Sequence, residues 1–219
     1  MGAFIASKYF KYKQRTFLFV GIAWMGLCEP WLSSGISFLL AVITGGEGLS
    51  PEMYAIIGMS FVPWSMLAWL IAFTDLTIKK HQKLILISFA IFGIIFDICL
   101  FYFLSIDPDL IVILNDPVDA EYQTIIRIFL FIIIIIIFIT GMLFARESLK
   151  SKNPEIRLKG KFLLTAFLLF TIGGIFDGLL PLNIYTLTFA RILLISSAIS
   201  FYCGFLLPNW VIKIFLKQE

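Results

Sequence analysis

A single histidine, His81, three isolated cysteines and 14% charged residues leave this 219-residue chain poor in the groups on which most cofactor and catalytic chemistry rests. A bundle-bound haem needs axial ligands inside the membrane, and His81 lies in a basic polar segment, so haem ligation and His-cluster metal hydrolysis are not expected. Serine–histidine catalysis has no histidine at depth to use. Cys28, Cys99 and Cys203 fall in separate apolar runs without a CxxC pair, which excludes a disulfide framework or zinc site and reads them as small apolar residues. The last apolar run carries no lysine for a retinal Schiff base, and neither a Walker A sequence nor a dinucleotide-binding glycine fingerprint occurs. No enzyme, cofactor or metal is therefore expected.

Long polar linkers are also missing. The longest polar stretches are "RESLKSKNPEIRLKGK" (Arg146 to Lys161) and "SIDPDLIVILNDPVDAEYQ" (Ser105 to Gln123), so residues 1–219 read as one transmembrane domain.

What is present is hydrocarbon. Apolar residues make up 60% of the chain and mean hydropathy is +1.00, outside the range of soluble domains. "FLFIIIIIIFITGMLF" (Phe129 to Phe144) is apolar all round, as a helix facing lipid must be. The reading is all-α: a polytopic bundle of six transmembrane helices over about residues 16–44, 53–75, 84–104, 123–145, 162–180 and 188–207. The first run is longer than one crossing needs and is interrupted at Pro30, so it is expected to be one long kinked helix; two short helices would make a seventh crossing.

Charge favours the single crossing. Lys8, Lys11, Lys13, Arg15, Lys79, Lys80, Lys83, Arg146, Lys150, Lys152, Arg157, Lys159, Lys161, Lys213 and Lys217 then share one side, fifteen of the seventeen basic residues. The positive-inside rule makes that side, with both termini, cytoplasmic in the cell membrane. No small-residue cleavage site follows the first basic segment, so a removable leader is not expected. The opposite connections carry Glu47, Glu52, Asp107, Asp109, Asp116, Asp119 and Glu121 and no base. Basic residues dispersed over four segments without interleaved aromatics do not form a nucleic-acid footprint; the lipid bilayer is the expected surface.

Two similar stretches place an acid in apolar surroundings: "GIIFDICL" (Gly93 to Leu100) and "GGIFDGLL" (Gly173 to Leu180). Each follows a lysine and an apolar run, which suggests a parallel duplication of spans two and three onto four and five. At 1.5 Å per residue, Asp97 lies about 20 Å and Asp177 a little over 22 Å from the basic ends of their spans, and Glu29, next to the Pro30 break, about 20 Å in. Arg127 and Arg191 enter from the other side to roughly 6–8 Å. Ionisable groups at such depth pair, line a wet cavity or titrate. The expectation is an outward-opening polar pocket for a small solute or ion, with Glu29, Asp97 and Asp177 as acids and Arg127 and Arg191 as their partners or as clamps for an anionic group, in a transporter or transporter subunit. Against it stands a structural role, in which the arginines and Asp177 reach headgroups or water.

A second class of function uses the other end of the chain: a non-enzymatic subunit or sensor module docking a partner protein through its basic loop 146–161. The acids of 107–121 read as turn and cap residues, Asp119 capping span four, in preference to a Ca²⁺ site, and "LIVIL" (Leu110 to Leu114) lies on the surface or over the pocket mouth. Ser33, Ser37 and Ala41, and Ser196, Ser200 and Gly204, are spaced for close helix packing.

Overall fold

The computed structural model describes residues 1–116, 120–179 and 184–216. Proline sets much of the helix punctuation. Its missing N–H costs nothing in a first helical turn, and Pro30, Pro51, Pro63 and Pro154 stand in the first turns of α3 (Glu29–Thr44), α4 (Pro51–Met59), α5 (Val62–Leu76) and α8 (Pro154–Leu179). The remaining helices are α1 (Gly2–Tyr12), α2 (Arg15–Gly26), α6 (Gln82–Ile106), α7 (Thr124–Leu149), α9 (Ile184–Leu206) and α10 (Asn209–Phe215). The chain is nearly all-α. Its described exceptions include an antiparallel hairpin of β1 (Val112–Leu114) and β2 (Ala120–Tyr122), with Ile113 opposite Glu121.

Among the described residues, five helical stretches are long and apolar enough to cross a membrane, or six if α2 and α3 count as one broken span. Those two helices meet at a bend of 46°, sharper than a simple kink, because Pro30 offers no donor and the chain tightens at Cys28, whose carbonyl accepts from Trp31 N at 3.2 Å. The second span is broken too, between Met59 and Val62, at the next internal proline. The basic loop expected over 146–161 is largely helix. α7 runs on to Leu149 and α8 begins at Pro154, with Asn153 Oδ1 accepting from Glu155 N at 2.8 Å as its cap. Asp119, expected as a cap, lies outside the described residues.

Two compact units divide the chain at Phe129 and Leu130. In the first, α1 turns back along α2. The two backbones approach so closely that a Cβ on Gly21 would stand 2.6 Å from the Gly2 carbonyl and from Ala6. Arg15, at the start of α2, grips Asp75 of α5 with two nitrogens, Nε to Oδ2 at 2.7 Å and Nη2 to Oδ1, and Gln82 of α6 donates to the same carboxylate and to Thr74 Oγ1. Three helices are thereby tied at their basic ends. Farther along, α2 crosses α5 where Gly26 faces the buried Ser65, whose side chain occupies the place a Cβ on Gly26 would need. Gly26→Leu is expected to cost about 1–3 kcal/mol of stability through overpacking, read as a lowered melting temperature in detergent; Gly35→Leu, with open space beside it, is the control.

The second unit is built on the α8–α9 pair. Gly204 packs against Leu163, and the buried Ser197 donates to the Ala166 carbonyl at 2.9 Å. Of the expected face of Ser196, Ser200 and Gly204, Gly204 therefore packs on α8 as expected. The interhelical hydrogen bond comes from Ser197, and the half-buried Ser200 bonds to its own helix at Ser196 O. On the first span Ser33 and Ser37 are fully buried.

Candidate functional site

The broken spans bring the polar residues of the first unit together. A helix break in an apolar setting frees backbone amides that need acceptors. At the break between α4 and α5 the freed amide is that of Phe61, and its acceptor is the side chain of Glu29, Oε1 at 3.1 Å, from the break between α2 and α3. One broken helix therefore caps the other. Negative charge at the start of α5 is also favoured by the helix dipole.

In the first turn of α5, Trp64 Nε1 donates to Asp97 Oδ2 at 2.9 Å. Gly93 precedes Asp97 by four residues on the same face of α6 and lies against Pro63, so its lack of a side chain lets α6 approach closely enough for Asp97 to reach the indole. The start of α5 thus engages two carboxylates, which lie within electrostatic reach of one another. Each uses one oxygen. Glu29 Oε2 and Asp97 Oδ1 are buried without a hydrogen-bond partner.

Hydroxyls extend the cluster. Ser33 Oγ donates to the Pro30 carbonyl at 3.0 Å, Ser34 bonds Tyr54, and Ser37 Oγ accepts from Leu49 N at 3.0 Å. The Tyr122 hydroxyl and Ser33 Oγ both lie against Gly58 on α4. Tyr122 ends the β hairpin, and of "LIVIL" Ile111 and Val112 are fully buried while Leu110 and Ile113 are exposed, so the segment packs inward through one side only.

Arg127 bonds elsewhere than Asp97. Its Nε donates to the Tyr122 carbonyl at 2.6 Å and its Nη2 pairs with Glu121. A residue only a few positions into its helix finds the hairpin nearer than the membrane centre. Asp97 takes the indole of Trp64 in the place expected of an arginine.

In the second unit Asp177 and Arg191 form an ion pair, Nε to Oδ1 at 3.1 Å, with the Asp177 side chain 10% and Arg191 39% exposed. The two G-x-I-F-D-like stretches thus share a local arrangement. In each, the glycine faces a neighbouring helix, the phenylalanine meets a second ring (Phe96 stacked on Phe129, Phe176 edge-on to Phe189) and the aspartate meets a donor. Their settings differ: Asp97 turns to the preceding span through Trp64, Asp177 to the following one through Arg191.

Trp64 and the Phe61 amide are the members sequence reasoning missed. "MSFVPW" (Met59 to Trp64) holds the available signal, because a proline inside an apolar run announces a break and freed amides. Compared with protein-family models, curated proteins and solved structures, the chain matches none.

Proposed function

We propose that the chain is a multi-pass membrane protein that binds a small solute or ion, as a transporter or transporter subunit, with Glu29 and Asp97 as the binding acids. Support comes from one observation above the rest: two buried carboxylate oxygens without hydrogen-bond partners, Glu29 Oε2 and Asp97 Oδ1, on side chains that both bond the start of one helix. Two carboxylates in electrostatic reach repel one another in an apolar medium, and a positive charge received between them offsets both. Oxygen donors with one or two negative charges suit a proton, an alkali cation or the ammonium group of a solute. The surrounding serine and tyrosine hydroxyls add donors and acceptors for a polar solute.

The proposal carries a topology: six crossings, α2 and α3 counted as one, with both termini on the cytoplasmic side of the cell membrane. Its support is the segregation of fifteen of seventeen basic residues to one set of helix ends.

Trp64 supplies the readout, since its indole bonds the acid. With the full chain in lipid nanodiscs, titration with protons, NaCl, KCl and methylammonium chloride is expected to give a saturable emission change with at least one of them. That change should vanish in Trp64→Phe, and Asp97→Asn should abolish it with the indole still in place. Identical titrations of wild type and Asp97→Asn would overturn the reading.

A further inference from the structure

At its basic end the second unit contains a cavity of about 320 Å³ between the first turns of α8 and the end of α10. Leu207 and Pro208 make it. Proline disfavours right-handed helix in the residue before it, and Leu207 takes a left-handed backbone with φ 44°, so α10 turns off α9 and lies back over α8. Docking holds that turn: Val211 and Leu207 are buried with Leu158 and Cys203, and the Phe215 ring meets Phe162 edge-on at 5.6 Å.

The two walls of the cavity differ in chemistry. Along α8, Arg157, Lys161 and Thr165 stand at intervals of four and share one face; Phe162 of the same helix, with Phe215 and Leu216 at the end of α10, supplies the apolar lining. Arg157 and Lys161 are exposed and form no ion pair among the described residues, whereas nearby Lys150 is engaged by Glu147 at 2.6 Å. Glu155, two residues from Arg157, projects from a different side of the helix. Two cations one turn apart, one a planar fork, suit the oxygens of a phosphate.

The apolar wall asks for hydrocarbon attached to that phosphate. The volume holds a headgroup and its first methylenes, and Ile156, Ile214 and Phe215 are exposed apolar surface along which chains can continue. Trp210, also exposed on α10, is of the kind that settles at headgroup level. We propose that this cavity is a binding site for a phosphate-bearing anion, with an anionic phospholipid headgroup as its occupant. The inference is independent of any chemistry at Glu29 and Asp97.

Native mass spectrometry of the full chain, exchanged into detergent with equal phosphatidylglycerol and phosphatidylcholine, tests it. The wild type is expected to retain phosphatidylglycerol in preference. Arg157→Gln/Lys161→Gln should lower that retention at least tenfold at an unchanged melting temperature, while Lys161→Arg keeps it. Lys79→Gln/Lys80→Gln, which removes two cations from the first unit, should leave it as in wild type. A competition arm with inorganic phosphate identifies the source: lipid retained against millimolar phosphate supports the headgroup, whereas phosphate bound alone upholds the anion chemistry and assigns it to a soluble ester. Equal retention of the two lipids, an unchanged Arg157→Gln/Lys161→Gln variant, or an equal loss in Lys79→Gln/Lys80→Gln would overturn the site.

Discussion

Glu29→Gln is expected to abolish cation binding while leaving thermal stability close to wild type, and Glu29→Ala to cost about 1–3 kcal/mol of stability as well. The two substitutions separate the two oxygens of one side chain. Oε1 accepts from the Phe61 amide, freed because α4 stops at Met59 and α5 starts at Val62. A glutamine carbonyl accepts the same bond. Oε2 is the buried atom without a partner, and glutamine replaces its negative charge with an amide that donates. Alanine removes both, leaving a backbone N–H unsatisfied in surroundings that offer little else, since Glu29 is 5% exposed. Binding of the cation identified by the Trp64 titration, measured beside melting temperature in detergent, checks both outcomes. Wild-type binding by Glu29→Gln would reduce Glu29 to a cap for α5 and leave Asp97 as the binding acid.

The helical, membrane-compatible character of the chain was legible because hydrocarbon thickness imposes a length on apolar runs, and long runs such as Phe129 to Phe144 have no soluble reading. The break at Pro30 was legible in position, but not in angle, because a proline states that a hydrogen bond is lost without stating how neighbours replace it. The second break escaped notice. A hydropathy window passes smoothly over "MSFVPW", where only the backbone registers the interruption. Glu29, Asp97, Asp177, Arg127 and Arg191 stood out because charge in hydrocarbon is costly wherever it points. Their partners did not, because depth along a helix axis gives height and leaves direction open. Arg127 was at a height to approach an acid and instead met Glu121 and the Tyr122 carbonyl on its own side. Trp64 could not be singled out from the other tryptophans until Gly93 and Pro63 brought α6 against α5.

Arg191→Leu is expected to destabilise the chain by about 3 kcal/mol, more than Asp177→Asn, and the double variant Asp177→Asn/Arg191→Leu to recover most of that loss. The asymmetry follows from exposure. Asp177 is 10% exposed and Arg191 39%, so removing the arginine takes the countercharge from a carboxylate that solvent barely reaches, whereas a bereft arginine has a long stem along which its charge can reach water or headgroups. The geometry reinforces this. Nε meets Oδ1 at 3.1 Å, so the pair uses one edge of the guanidinium and leaves its other nitrogens free to turn outward. Gly173 and Phe176 hold the aspartate in place by packing on Leu194 and Phe189, which limits how far Asp177 can move to find another donor. A double-mutant cycle on melting free energies in detergent measures the coupling. A coupling near zero, with Arg191→Leu no worse than Asp177→Asn, would show that the aspartate is satisfied without the arginine.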